Sequence, residues 1–308
     1  MRFTPLAALV AIVAFSTCTP NDSGRVAAPR IAAAHDADFT GAPDLIVDGK
    51  ALEGSWVVYD QILKEGTCTL EEGGVIDPTV SHRVVRFTVN TPNIGDADIA
   101  LGDPAVHVAA GDGLYQLSTC HQHWHFQHYA TYELVDPATG KVWQAAKRGF
   151  CMIDVVPWNG GIQSPGSWVY HVCGRPAGAL GPAIVGNQGI STGRADQYYK
   201  WLGGQYFVLD GGDGQAPVPP GNYIIRIHVN PPFPCTKFDR DHNRPVDPQG
   251  MCHNFFESNY ANNVAEAPIT LPVSRPGRTG FGPGGGKTPP DVDPIDDENR
   301  PSTSDVNE

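Results

Sequence analysis

Short apolar runs with a period of two residues constrain the fold of residues 43–273 more than any other feature. In 219–230 (PPGNYIIRIHVN) apolar side chains recur at every second position, as in a strand with one buried face. Similar runs occupy 82–90 and 204–210, and 128–146 reads as a hairpin around the turn PATG. The sequence has no long 3.6-residue apolar period, and its 35 Gly and 28 Pro favour turns over helices. We therefore predict a mostly β, β-sandwich-like domain with long irregular loops.

The two ends of the chain differ in composition from this central domain. Residues 1–18 contain one Arg and an apolar run that is too short to span a bilayer, which is typical of a signal peptide. Because Cys18 follows two small residues, a lipoprotein signal that is lipidated at this cysteine is an equal alternative. Residues 19–42 read as a linker, and 274–308, rich in Gly and Pro with an acidic end, as a disordered tail.

The net charge and the cysteines disfavour several classes of protein. A net charge of −12 argues against a nucleic-acid partner and is compatible with a cationic one. Beyond the leader, no segment is apolar enough to cross a membrane. Without Cys18 six cysteines remain, an even set that predicts three disulfides in an exported chain, although spacing alone leaves their pairing open. Because the sequence has no CxxC pair, a zinc site built on cysteines is disfavoured.

Four histidines fall within the stretch CHQHWHFQH (120–128). If this stretch is a strand, the imidazoles of His121, His123 and His125 share one face, and His128 points to the other. The outer two Cα atoms would then lie about 13 Å apart, so a bend is needed for one ion to reach all three. Neutral imidazoles suit zinc or copper. The alternative is a histidine-rich surface tract that binds metal incidentally.

Several segments, in order along residues 45–265, resemble the lysyl oxidase family. TCHQHWHFQHYATYELVD (119–136) is similar to the copper-binding segment of that family. AKRGFCMID (146–154) resembles the segment that carries the cofactor lysine, and GNQGISTGRADQYY (186–199) resembles the one that carries the cofactor tyrosine. PPGNYIIRIHVNP (219–231) is similar to a strand near the end of the family's domain. The ordered set makes chance similarity improbable.

The resemblance implies copper ligands and a cofactor made from the protein's own side chains. The residues that match the copper ligands are His121, His123 and His125. Lys147 and Tyr198 match the pair that forms lysine tyrosylquinone, and Tyr199 is the alternative if the register slips by one residue. By the same resemblance, the expected disulfides pair Cys68 with Cys120, Cys151 with Cys173, and Cys235 with Cys252.

On this resemblance the chain is expected to be a copper-dependent amine oxidase that is secreted or held in the cell envelope. It would use dioxygen to oxidise primary amines, either peptidyl lysine or small amines, to aldehydes, and it would release ammonia and hydrogen peroxide. The alternative is a non-catalytic copper-binding envelope protein, which would need the histidines but not the Lys147–Tyr198 pair. A structural β-domain with a zinc site is disfavoured because no fourth Cys or His has suitable spacing.

The sequence also departs from the family's pattern. The family places a histidine directly before the aromatic residue that Tyr132 matches, and here that position is Thr131. This change leaves the general base open, with Asp196 and Asp154 as candidates beside the cofactor segments. The cofactor-forming pair is separated by 51 residues, more than in the family, which implies an inserted loop within 155–187.

Overall fold

The computed structural model describes residues 41–63, 77–147, 149–158, 169–179, 181–212 and 214–289. Within these ranges antiparallel strands form six small sheets, which are joined by irregular connections and three short helices. The prediction of a mostly β, disulfide-stapled domain is confirmed. The helices are α1 (Gly49–Ser55), α2 (Pro104–Ala110) and α3 (Lys237–Asp241).

Most of the strands are short. In chain order they are β1 (Val57–Ile62), β2 (Ser81–Arg86), β3 (Val89–Pro92), β4 (Ile99–Gly102), β5 (Tyr115–Leu117), β6 (Trp124–Phe126), β7 (Ala130–Val135), β8 (Val142–Gln144), β9 (Val156–Pro157), β10 (Gln188–Ile190), β11 (Arg194–Tyr198), β12 (Tyr206–Val208), β13 (Gly221–Val229), β14 (Phe233–Pro234), β15 (Met251–Cys252) and β16 (Val264–Leu271). The sheets have the strand orders β1-β2-β12, β10-β4, β3-β11-β9, β16-β13-β7-β8, β14-β15 and β5-β6.

The four-stranded sheet confirms the alternation that the sequence predicts. β7 and β8 form the expected hairpin, with Leu134 opposite Trp143. β13 pairs with both β7 and β16. Its inward side chains are all buried, namely Tyr223, Ile225, Ile227 and Val229. Burial of a side chain of this size stabilises a fold by about 1.5–3 kcal/mol, so this face is a main contributor to the core.

The segment 82–90 differs from the predicted single strand. It divides into β2 and β3, which belong to different sheets. Arg86 is fully buried, and its Nε atom donates a hydrogen bond to Gln61 Oε1 at 2.8 Å. The prediction failed because polar residues in an alternating run usually face solvent, whereas Arg86 has buried acceptors that only the folded chain supplies.

Both disulfides that fall in the described part of the chain agree with the expected pairing. Their Cα atoms lie 5.6 Å apart in Cys151–Cys173 and 5.1 Å apart in Cys235–Cys252. A bridge of this kind stabilises a fold by about 2–4 kcal/mol. Cys68 lies outside the described residues, so its pairing with Cys120 stays a prediction.

Residues 274–289 are ordered, so the predicted start of the disordered tail is wrong for this part of the chain. The segment runs along β1, where Val58 and Phe281 form an antiparallel bridge. A Cβ on Gly280 would lie 2.5 Å from an atom of the Tyr59 ring, so the glycine allows a close approach of the backbone. A glycine-rich composition indicated disorder, but here the glycines allow the backbone to pack closely against β1.

Residues 1–40 and 290–308 lie outside the described ranges. The signal peptide (1–18), the lipidation of Cys18 and most of the linker (19–42) therefore stay predictions, as does disorder at the end of the chain. In the part of the chain that the structure describes, no helix has the length and the apolar character needed to span a membrane.

Candidate metal and cofactor site

The three alternating histidines converge on one point, although they do not lie on one strand. β6 begins only at Trp124, and His121 lies in the turn before it. Gln122 adopts a left-handed conformation with φ 59°, and this bend replaces the continuous strand of the prediction. As a result, the candidate ligand atoms of His121, His123 and His125 all lie within 4.8 Å of one another.

The surroundings of these histidines favour neutral imidazoles. The Nε2 atoms of His123 and His125 are 3.1 Å apart, and both side chains are buried. Burial holds the pKa of His123 well below its usual range, and the charges of His125, His121 and Lys147 lower it further. A neutral imidazole offers a nitrogen lone pair, so the three side chains form a donor set that suits copper or zinc.

Gly149 allows the segment that carries Lys147 to pass directly against the histidine site. A Cβ at position 149 would overlap Nδ1 of His125, so a larger residue would displace the imidazole. Gly149 was not among the predicted site residues. The signal available in the sequence was a glycine next to the apolar Phe150, because a glycine inside a structured segment can mark a close backbone approach.

We expect Gly149→Ala to weaken metal binding by about 10- to 100-fold, because groups that orient a metal ligand affect affinity to this extent. A competition titration with a chromogenic chelator measures the change. Gly54→Ala is the matched control, because Gly54 lies in α1 and a Cβ there meets nothing within 4 Å. Equal affinities in the two variants would show that Gly149 does not shape the site.

The lysine and the tyrosine that match the cofactor pair lie against each other. Tyr198 ends β11 and Lys147 follows β8, and the Nζ atom of Lys147 is 4.9 Å from the centroid of the Tyr198 ring. Lys147 is 7% exposed and Tyr198 is 1% exposed. The Tyr198 hydroxyl donates to the Cys151 carbonyl at 2.8 Å, and the Phe150 ring packs perpendicular to it at 5.2 Å. The ring is therefore fixed in a dry environment beside an amine.

The same geometry distinguishes Tyr198, which contacts Lys147, from its neighbour Tyr199. Tyr199 directly follows β11 and is partly exposed. Adjacent residues along an extended chain point in opposite directions, so the two rings do not share an environment. The charge of Lys147 also lowers the pKa of His123, which puts the Lys147–Tyr198 pair within electrostatic range of the histidines.

Asp154 lies in a hydrogen-bonded environment. Its carboxylate accepts from the backbone N–H of Ser191 at 2.8 Å and from its hydroxyl at 2.6 Å. The backbone N–H groups of Val169 and Tyr170 donate to the same carboxylate at 3.1 and 3.3 Å. These four hydrogen bonds tie three segments of the chain together, so the geometry favours a structural role for Asp154.

Asp196 lies in a different environment, two residues before Tyr198 on the same face of β11. Its Oδ2 atom is buried and has no hydrogen-bond partner among the described residues. Burial raises the pKa of Asp196 well above its usual range, and the lowering effects of the Tyr198 hydroxyl and of the Lys147 charge do not cancel it. A buried carboxyl with an available oxygen and a raised pKa suits a general base.

Thr131 occupies the position at which the family has a histidine, and His128 lies nearby. Neither side chain lies beside Lys147 and Tyr198. Thr131 lies on β7 opposite His228, and strand alternation points its side chain away from the face that Tyr132 buries. His128 is exposed and left-handed, with φ 56°. His128 therefore does not extend the cluster of His121, His123 and His125.

A family model described as lysyl oxidase matches residues 43–266. Lysyl oxidase homolog 1 of Homo sapiens is 27% identical over 203 residues, which cover 63% of this chain and 30% of that protein. Lysyl oxidase homolog 2 of Homo sapiens is 26% identical over 210 residues, which cover 66% of this chain and 24% of that protein. The chain thus matches less than a third of the length of these curated relatives. The chain belongs to the lysyl oxidase family.

Proposed function

We propose that this protein is a copper-dependent amine oxidase whose cofactor is lysine tyrosylquinone made from Lys147 and Tyr198. The observation that carries the proposal is the 4.9 Å approach of the Lys147 amine to the Tyr198 ring, beside a cluster of three histidines. A copper-binding protein without catalysis needs the histidines, but it has no need of a buried lysine against a tyrosine ring.

The residues present fit both parts of this cofactor system. His121, His123 and His125 would hold copper, which supplies electron exchange with dioxygen when it is bound. Overall, one tyrosine, one lysine and two molecules of dioxygen give the cross-linked quinone, one water and one hydrogen peroxide. The contact of Lys147 with Tyr198 means that the new nitrogen–carbon bond requires a side-chain movement rather than a rearrangement of the sheet.

The proposed reaction converts a primary amine, dioxygen and water into an aldehyde, ammonia and hydrogen peroxide. Asp196 would accept the proton from the carbon next to the amine nitrogen at its Oδ2 atom. Its raised pKa, caused by burial, makes it a stronger base than an exposed carboxylate. The Cys151 carbonyl accepts a hydrogen bond from the Tyr198 hydroxyl and so orients the ring. The Thr91 hydroxyl donates to the Asp196 carbonyl and so holds the backbone of Asp196.

Aromatic side chains exclude water from this centre. Phe150 packs against Tyr198, Tyr129 and Tyr132 with centroid distances of 5.2, 5.3 and 5.4 Å. A centre that is buried in this way suits an unbranched aliphatic amine, which can extend its reactive end into the protein. Peptidyl lysine and small primary amines are therefore the proposed substrates, and the net charge of −12 favours cationic partners over nucleic acid.

The experiment that tests this function compares the full-length chain after expression with and without copper, with disulfides allowed to form. We expect amine-dependent release of hydrogen peroxide and a positive quinone stain only in the copper-loaded sample. A folded, copper-loaded protein without quinone would instead support the non-catalytic copper-binding alternative.

We further propose that the protein is exported, either as a secreted enzyme or as a lipoprotein that is anchored through Cys18. Partition of the wild type and of Cys18→Ser between detergent and water separates the two forms. An anchored protein moves to the water phase when Cys18 is replaced, whereas a secreted one is in the water phase in both cases.

A further inference from the structure

A short loop, residues 199–205, connects β11 to β12 and passes against Lys147. It begins directly after Tyr198 and ends before Tyr206, whose carbonyl accepts a 2.9 Å hydrogen bond from the residue preceding Lys147. Gly204 in this loop has φ 71°, and a Cβ there would lie 3.0 Å from the Lys147 Cα atom. This segment, called the cofactor loop below, therefore packs against the backbone of Lys147 and is continuous with Tyr198.

Arg86 holds the cofactor loop from the core side. Its Nη1 atom donates to the carbonyls of Lys200 and Leu202 at 2.9 and 3.2 Å. The guanidinium also lies 4.8 Å from the centroid of the Tyr206 ring, and Gln61 accepts from its Nε atom. A fully buried guanidinium is costly to desolvate, so its donors hold these carbonyls firmly.

Residues 275–287, called the C-terminal strap below, run along β1 on the side of the cofactor loop that Arg86 does not contact. β1 is one of the two edge strands of its sheet, and the strap covers that edge. Val58 and Phe281 exchange backbone hydrogen bonds of 2.8 and 2.9 Å, and the Asp60 N–H donates to the Gly277 carbonyl at 3.0 Å. The strap lies beyond the part of the chain that matches the family model.

The C-terminal strap contacts the cofactor loop directly. The Lys200 Nζ atom donates to the Gly284 carbonyl at 2.7 Å, and the Gly284 N–H donates to the Trp56 carbonyl at 3.0 Å. The Tyr59 hydroxyl donates to the Lys287 carbonyl at 2.7 Å. The cofactor loop is thus held between a buried arginine on one side and the strap on the other.

We propose that the C-terminal strap is a positioning element for the cofactor: through Lys200 it fixes the cofactor loop, and this loop holds Lys147 against Tyr198. The inference rests on the proposed function, because the geometry that it maintains is that of the cross-link. A displacement of about 1 Å between reacting groups can cost about 100-fold in rate. Lys200 is accordingly a positioning residue.

Lys200→Met in the full-length chain tests this role. We expect the cross-link to form at least about 10-fold more slowly after copper is added to copper-free protein, as followed by the mass of the linked peptides. Once formed, the cofactor should turn over at the wild-type kcat, because Lys200 does not contact the reacting ring. Lys200→Arg should restore the rate, and Lys237→Met, at an exposed lysine, should not change it.

Two truncated chains provide an independent test. A chain that ends at Pro289 should behave as the full-length protein, whereas one that ends at Val273 should cross-link slowly and lose amide protection in 199–205. If the Val273 chain does not fold, Lys200→Met decides the question. Wild-type cross-linking rates and wild-type amide protection in Lys200→Met would overturn the proposal. If the full-length chain never forms the cross-link, the proposed function fails, and amide exchange in 199–205 alone then shows whether the strap holds the loop.

Discussion

Tyr198→Phe should abolish amine-dependent peroxide release, with a loss of at least about 10³-fold, while the protein still folds and binds copper. Phenylalanine lacks the ring oxygen from which the quinone must be built. Loss of the hydrogen bond from the hydroxyl to Cys151 should cost only about 1 kcal/mol of stability. Peroxide release, quinone staining and copper content, measured on the same preparation, separate the loss of the cofactor from the loss of the fold.

Tyr199→Phe is the matched control for this prediction, because it removes the same oxygen one residue further along the chain. It should retain both the quinone stain and the activity. The opposite result, an active Tyr198→Phe and an inactive Tyr199→Phe, would show that the register of the cofactor segment is shifted by one residue.

Asp196→Asn should lower kcat by about 10²- to 10⁴-fold, the usual contribution of a general base. The quinone stain should persist, because an amide of the same shape leaves Lys147 and Tyr198 in contact. Steady-state rates normalised to the quinone content measure the effect. Retention of full activity in a variant that carries the quinone would exclude Asp196 as the base.

The activity should also depend on pH in a direction that the protonation state of Asp196 sets. Only the ionised form of Asp196 accepts a proton, and burial raises its pKa, so activity should increase with pH along a limb that lies above the usual range for a carboxyl. Asp196→Asn should lose this limb. For stability, the folded state binds the proton more tightly than the unfolded state does, so the contribution of Asp196 to stability declines as pH rises from the unfolded pKa towards the folded one.

Asp154→Asn is the matched control for Asp196→Asn. An amide cannot accept all four of the hydrogen bonds that Asp154 receives, so this variant should lose about 1–3 kcal/mol of stability. The acid limb of its activity profile should remain where it is in the wild type. If the limb moves with Asp154 rather than with Asp196, the assignment of the base is wrong.

Parts of the fold could be predicted because they depend on local pattern. The alternation in β13 reports one buried face, and the β7–β8 hairpin follows from a short turn between two such runs. The prediction of a single strand over 82–90 was wrong because the acceptors of Arg86 are residues distant in the chain, which the local alternation cannot reveal. The prediction of disorder over 274–289 was wrong for the same reason, because this segment pairs with β1, which lies far away in the chain.

The residues available for chemistry could be read from the sequence: three histidines at alternate positions, and a lysine and a tyrosine in segments that resemble those of one family. How these side chains meet depends on the folded chain. The left-handed Gln122 gathers the imidazoles, Gly149 allows the segment that carries Lys147 to approach them, and distant donors distinguish Asp154 from Asp196. Residue identity and spacing fix chemistry and local periodicity, whereas close approach, burial and hydrogen-bond partners come from segments that only folding brings together.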